Sequence, residues 1–333
     1  MLTWLIILIL ILSFTGTFII IKVALKKNIL DIPNDRSSHS TPTPRGGGIA
    51  IVLSWYFGLF GLKLFDLIES HLFYALLSGF LLAFISFLDD LYSIKPWIRI
   101  LFQILTVIIG MFFINGFTML YLNDLVITFP IILSIIAIIG VIWFINLYNF
   151  MDGIDGYASV EALSIALGMY FIIGDPIFLI LIFSVLGFLI WNWPNAKIFM
   201  GDIGSTQLGY ILVILGIYFN NNHEYNIFGW LILTSLFWFD ASLTLFRKWR
   251  NNEKMSQAHK KHAYQRIVQS GFSHQKTILF AVFINLIFIT LVFLSEKAII
   301  QYFISFPLSL VINYFLIKQI DYRLPFSKTD STK

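Results

Sequence analysis

The chain has no cysteine, which excludes disulfides, thiolate metal sites and cysteine nucleophiles without fixing a compartment. Charge is scarce too: Asp, Glu, Lys and Arg make up 12% of 333 residues against 58% in the apolar class, and the mean hydropathy is +0.85. That balance excludes a soluble fold and reads as a polytopic membrane protein. The hydrophilic sequence that remains leaves little for an extramembrane domain. The expected fold class is therefore an all-α integral membrane bundle of about ten to eleven transmembrane helices, one domain over residues 1–333, with active-site loops on the cytoplasmic face. Three common motifs are missing. The acidic string after Asn146 lacks the spacing and downstream glutamate of an EF-hand, and the glycines around Asp202 lack the Gly-Lys-Ser/Thr ending of a Walker A loop. The pair His259 and His262 lacks the glutamate of a His-Glu-x-x-His zinc site and has no obvious third ligand. No internal repeat stands out, and no nucleic-acid partner is expected.

The placement of the few charges orients the chain. Leu2 to Leu25 is apolar, with no basic residue ahead of it, no small-residue cleavage site behind it, and Lys22, Lys26 and Lys27 at its far end. This reads as a retained first span with its N-terminus outside. Further apolar runs place spans near 46–65, 70–88, 97–116, 128–145, 157–174, 177–191, 205–220, 227–246, 277–294 and 299–317. On that layout every Lys and Arg except Lys63 and Lys297 lies inside, which orients the chain N-out and C-in. Asp66, Glu69, Asp124, Asp175, Glu224 and Glu296 fall outside. Every polar cluster of chemical interest then lies on the cytoplasmic face.

The central cluster is Asn146-Leu-Tyr-Asn149-Phe-Met-Asp152-Gly-Ile-Asp155-Gly156, with two amides and two carboxylates at a spacing of three inside an otherwise apolar region. Steps of three on an α-helix lag each turn by about 60°, so the groups share one site only if the helix tightens or breaks. Gly153 and Gly156 favour a break, whose free N–H groups suit an anion while the carboxylates suit a hard cation. Asp89-Asp90 ends the third span; two adjacent carboxylates suit a base or a metal–phosphate site, or form a solvated helix terminus. Lys95 and Arg99 follow as candidate phosphate partners. In Phe199-Met-Gly-Asp202-Ile-Gly-Ser205-Thr206 the glycines let backbone approach a ligand, and a helix starting near Ser205 would aim its positive end at it, with Asp202 left over for other work. Asn28 to Arg45, holding Arg36, His39, three prolines and Arg45, is either an ordered lid over an anion or a connecting loop. His259 and His262 fit one helical face amid Lys and Arg and favour phosphate or sugar contact over zinc; a basic segment under a membrane also binds lipid headgroups. Among the spans only the ninth is expected to bury an acid, Asp240, which either acts or braces Arg247.

Taken together, Asp31-Ile-Pro-Asn-Asp-Arg36, His39, Pro44-Arg-Gly-Gly47, Asp89-Asp90, Asn149-Phe-Met-Asp-Gly-Ile-Asp-Gly156, Phe199-Met-Gly-Asp-Ile-Gly-Ser-Thr206 and the His segment resemble the polyprenyl-phosphate N-acetylhexosamine-1-phosphate transferases. The resemblance runs from Asp31 to Gln265. It is closer to the bacterial enzymes that initiate O-antigen or teichoic acid synthesis than to the muramyl-pentapeptide enzyme. It implies a bacterial cytoplasmic membrane enzyme that moves a sugar 1-phosphate from a UDP-N-acetylhexosamine to undecaprenyl phosphate, with UMP as the other product. It implies further that Asp202 holds Mg²⁺, with Mn²⁺ as the alternative ion, and that Phe199, Asn192 and Asp155 contact the uridine. Asp89 or Asp90 would serve the lipid phosphate, with Asp152 beside the reacting groups and Asn149 within the same motif. His259 and His262 are spaced His-x-x-His where the family has His-x-His-His. Ser37 stands where many relatives carry Lys, which leaves the first loop's anion contact to Arg36 or Arg45. A homodimer is left open. The rival from another class is a secondary transporter using the carboxylates as an ion or proton path; the gathering of charge on one face argues against it.

Overall fold

The computed structural model describes residues 1–33, 41–122, 125–254 and 259–328. Among these the chain folds into α1 (Leu2–Lys27), α2 (Gly48–Leu64), α3 (Ser70–Tyr92), α4 (Pro96–Phe113), α5 (Pro130–Met151), α6 (Tyr157–Ile173), α7 (Pro176–Asn192), α8 (Asp202–Asn221), α9 (Ile227–Leu233), α10 (Ser235–Arg250), α11 (Ala263–Gln269), α12 (His274–Glu296) and α13 (Tyr302–Arg323). Two short antiparallel ribbons, Leu30–Asp31 with Thr43–Pro44 and Leu120–Leu122 with Leu125–Ile127, complete the regular structure.

Each expected span coincides with a helix, or with the pair α9 and α10, which is bent by 73° around Thr234. The chain is thus an all-α, multi-pass membrane protein. Among the described residues seven helices are long and apolar enough to cross a bilayer, or eight with the bent pair, whereas α2, α6 and α7 have 17 residues each. A helix of that length rises about 25 Å, short of a hydrocarbon core of roughly 30 Å. The difference from the ten to eleven spans expected is therefore one of length.

The bundle is built around α8, whose residues from Ile203 to Asn220 are all buried. Such a helix cannot face lipid, and its polar residues find partners on its neighbours. Thr206 shares a hydrogen bond with Ser86 of α3 (2.9 Å), Gln207 Nε2 donates to Tyr56 of α2 (3.0 Å), and the Tyr210 hydroxyl donates to the Ala75 carbonyl (2.7 Å). Buried hydroxyls and amides of this kind tie helices together where there is little water to compete. The first turns of α2 and α8 approach so closely that a Cβ on Gly48 would stand 2.5 Å from Gly204 Cα.

The break expected in the central cluster is present. α5 stops at Met151 and α6 resumes at Tyr157 after Gly156, whose φ of +69° is a conformation that favours glycine. A side chain on Gly153 would collide with the Tyr264 hydroxyl, which donates to the Phe150 carbonyl (3.1 Å).

The expectation that only the ninth span buries an acid fails. Glu161 on α6 is 1% exposed and accepts from Asn285 Nδ2 of α12 (2.6 Å). One carboxyl in an apolar run gives no periodic signal, so its partner is visible only after α6 packs on α12.

Candidate active site

The ends of α3, α5 and α7 meet the starts of α2, α4, α6 and α8 at one end of the bundle, and the acidic residues of the sequence clusters gather there. The segment before α2 is laid against the segment before α8 by three backbone hydrogen bonds. Phe199 N–H donates to Pro44 O (2.8 Å), Gly47 N–H to Phe199 O (2.9 Å) and Gly48 N–H to Met200 O (2.8 Å). This pairing sets Arg45 beside Asp90, where Nη2 donates to both the carboxylate and the backbone carbonyl at 2.9 Å.

Asp90 faces the start of α8. Its Oδ1 accepts from Asp202 N–H and its Oδ2 from Ile203 N–H, each at 3.1 Å. The helix begins at Asp202, not near Ser205, and its first two free N–H groups go to Asp90 instead of an incoming ligand. Charge explains the correction, since a carboxylate at a helix N-terminus satisfies the orphan donors and the dipole together. Gly201, at φ +78°, permits the approach: a Cβ there would lie 2.8 Å from Asp90 Oδ2.

Asp89, one residue earlier and buried, points elsewhere. Its Oδ1 accepts from Ile94 N–H (2.6 Å) and its Oδ2 pairs with Arg99 Nη1 (2.6 Å). The other arm of the same guanidinium reaches Asp202 Oδ2 (3.1 Å). Lys95, expected as a phosphate partner, is the exposed N-cap of α4 and reaches none of these acids; Arg99, one turn further on, is the cation the fold brings in.

Asp152 lies in the break between α5 and α6, and among the described residues no cation or donor pairs with its carboxyl. Burial pushes that carboxyl up to about 7, aided by the neighbouring carboxylates of Asp202, Asp90 and Asp155. The cluster therefore holds negative charge that Arg45 and Arg99 leave uncompensated beside Asp152. Among the described residues no three His, Asp or Glu side chains converge as a closed ligand set. Asp202, whose side chain is 30% exposed and has the guanidinium on one oxygen, fits an Mg²⁺-type ion, which is held by one or two carboxylates and keeps waters and substrate oxygens in its other positions.

The remaining candidates divide. Asn149 Oδ1 accepts from Ser205 Oγ (2.6 Å), which ties the end of α5 to the first turn of α8 inside the cluster. Asn146, its neighbour in the same stripe, faces away and exchanges amide hydrogen bonds with Gln103 of α4 (2.8 and 3.2 Å). Asp155 Oδ2 accepts from Ala196 N–H (3.2 Å) and lies 3.2 Å from His274 Nδ1, the first residue of α12. Asn192 is 4% exposed and its amide is fully engaged: Oδ1 accepts from Gly156 N–H (3.0 Å), and Nδ2 donates to Ile198 O (2.9 Å). It braces the start of α6 against the 193–201 segment. Phe199 is half-buried in that segment, and Arg36 lies outside the described residues.

His259 and His262 do not share a helical face. His259 precedes the helix and His262 is the N-cap of α11, which starts only at Ala263. The start is fixed by Asp240, whose two oxygens accept from Ala263 N–H (2.9 and 2.8 Å). Asp240 thus anchors α11 and does not brace Arg247, which makes a two-armed pair with Asp321 (3.0 and 2.8 Å). Asp321 also pairs with Arg266 Nη1 of α11 (2.5 Å), so carboxylates from two helices hold the segment.

Burial, then the positive charges of Lys248 and Arg266, push the His262 imidazole down to about 3; burial, His262, Lys248 and Lys261 do the same to His259. Both rings are neutral at neutral pH. As pH falls from about 6.5 toward about 3, the unfolded chain takes up protons that the folded imidazoles refuse, so stability declines over that window. The thermal midpoint in detergent should fall between about pH 7 and about pH 5, and His262→Gln should remove part of the fall. An equal fall in the variant would contradict the assignment.

The sequence held only weak signals for Arg99 and Ser205, and none for His274, whose link to Asp155 joins α12 to the central break. With the geometry laid out, the comparisons with known proteins are specific. The profile of glycosyl transferase family 4 matches residues 72–220. The chain is 30% identical over 315 residues to a probable undecaprenyl-phosphate N-acetylglucosaminyl 1-phosphate transferase of Bacillus subtilis (strain 168), an alignment covering 90% of this chain and 85% of that one. It is 31% identical over 209 residues to the undecaprenyl-phosphate alpha-N-acetylglucosaminyl 1-phosphate transferase of Thermotoga maritima, covering 63% of each. It is also 31% identical over 212 residues to the phospho-N-acetylmuramoyl-pentapeptide-transferase of Streptococcus thermophilus, covering 56% of this chain and 61% of that one. The last two alignments span less than two thirds of the relative's length.

Proposed function

Because this chain belongs to glycosyl transferase family 4, the polyprenyl-phosphate N-acetylhexosamine-1-phosphate transferases, we propose that it transfers N-acetylhexosamine 1-phosphate from a UDP-N-acetylhexosamine to undecaprenyl phosphate in a bacterial cytoplasmic membrane. The product would be the lipid pyrophosphoryl sugar that starts a cell-surface polysaccharide. N-acetylglucosamine is the first sugar to test, since the names of two relatives carry it. The observation that supports this most is the convergence of Asp89, Asp90, Asp152, Asp155 and Asp202 with Arg45 and Arg99 at one end of the bundle. Most of the chain's Lys and Arg belong to segments at that end, which supports a cytoplasmic site with the N-terminus outside.

In the proposed reaction an oxygen of the lipid phosphate attacks the phosphorus that bears the sugar, the bond from that phosphorus to the bridging oxygen breaks, and UMP leaves with the bond's electron pair. A phosphate monoester has its second pKa at about 6, so part of the acceptor arrives protonated. Asp152, unpaired and with a carboxyl near 7, suits the removal of that proton. Arg45 and Asp90 fix the start of α8, and with it Asp202, while Asn192 and Asn149 hold the flanking segments. Asp202 would hold a divalent cation, which would supply charge stabilisation where several phosphate oxygens meet. His259 and His262 lie on the neighbouring segment as neutral donors for a phosphate or sugar, while buried Lys261 is paired with Glu253 (2.8 Å).

The test is UMP release by the protein purified in detergent, over a panel of UDP-sugars. Release that requires both undecaprenyl phosphate and Mg²⁺ is expected. Release independent of the lipid, or none with any sugar, would remove the proposal.

A further inference from the structure

Arg99 occupies a position that a bound cation would contest. It stands in the second turn of α4 and bridges carboxylates from two other helices, Asp89 of α3 and Asp202 of α8, with one arm on each. The alternatives for neutralising Asp202 are taken: Arg45 is committed to Asp90, and Lys95 faces away. Asp89 is buried and held by a backbone N–H as well as by Arg99, whereas the Asp202 side chain is 30% exposed and has the guanidinium on one oxygen. The bridge is therefore firm at one end and open to exchange at the other.

We propose that Arg99 is a tethered counter-cation that competes with the divalent ion for Asp202. It holds Asp89 and Asp202 in position while the site is unloaded, and its arm on Asp202 must be released before an ion binds there. This rests on the reading of Asp202 as a metal ligand. The physical reason is steric and electrostatic together. A hard ion binds a carboxylate oxygen at about 2.0–2.1 Å and claims the same lone-pair directions the guanidinium uses, and the two positive charges repel. Because Arg99 stays tethered to Asp89, the exchange leaves the guanidinium within the site instead of expelling it. Ion affinity is then set by the difference between two occupancies of one carboxylate, and is lower than the bare acids would give. Arg99 is by this account a positioning residue, since it acts through Asp202.

Full-length protein in detergent is titrated with Mg²⁺ alone, with affinity read by calorimetry and by the shift in thermal midpoint. Arg99→Gln should bind Mg²⁺ more tightly, by roughly tenfold. Arg99→Lys, which keeps the charge but loses the two-armed fork, should fall between that variant and the parent and guards against misfolding of the glutamine form. Mg²⁺ binding that is unchanged or weaker in Arg99→Gln, with binding intact in the parent, overturns the proposal alone and leaves Arg99 as a structural tie. No Mg²⁺ binding by any of the three proteins overturns the metal reading and the proposal with it.

Discussion

Asp152→Asn should lower kcat by about 10²–10⁴-fold while KM for the sugar nucleotide changes little. The asparagine fills the same space, and no hydrogen bond to the Asp152 carboxyl exists among the described residues to be lost, so the fold is undisturbed. What disappears is a carboxylate held near the working pH by burial and by Asp202, Asp90 and Asp155. The parent should accordingly lose activity as pH falls through about 7, because a proton then occupies the group that must accept one from the lipid phosphate. An Asp152→Asn protein with undiminished kcat would transfer the base role to Asp89. That residue is less suited to it, with one oxygen on a backbone N–H and the other on Arg99.

Asp202→Asn should reduce turnover by about 10³-fold or more and leave insertion and folding intact. The start of α8 does not depend on the Asp202 side chain, because Asp90 binds the backbone N–H groups of residues 202 and 203. Only the carboxylate is lost, and with it the oxygen that faces Arg99 and any bound cation. Unlike Asp152→Asn, this variant should also lose its response to Mg²⁺ in the thermal midpoint. Full activity, or an unaltered Mg²⁺ response, would show that the ion is held elsewhere.

How much of this was legible in the sequence follows from how local each signal is. The spans were readable because long apolar runs and the bias of Lys and Arg need no knowledge of packing. The break at Asp152 was readable because two glycines and a polar stripe interrupt such a run. The partition between Asp89 and Asp90 was not. Successive helical residues point about 100° apart, and which one meets α8 and which meets Arg99 depends on how α3 lies against both neighbours. Lys95 looked as suitable as Arg99, yet a position at the helix N-cap faces out and one a turn later faces in. The start of α8 differs from the sequence expectation for a similar reason: Ser205 is a good local cap, but a carboxylate 112 residues earlier in the chain supplies a stronger one. The spacing of His259 and His262 suggested a helix, and Asp240 prevents it by capping the chain at Ala263. Asn192, implied by resemblance as a uridine contact, holds Gly156 at the start of α6 and Ile198 in the segment before α8, partners that no local pattern announces.

The most direct measurement follows the phosphorus. UDP-N-acetylglucosamine labelled in the phosphate that bears the sugar is incubated with the purified protein, undecaprenyl phosphate and Mg²⁺. The account predicts that the label moves to the lipid together with the sugar while unlabelled UMP accumulates. Label that remains in a water-soluble nucleotide while sugar alone reaches the lipid, or no transfer with any UDP-N-acetylhexosamine, would contradict it.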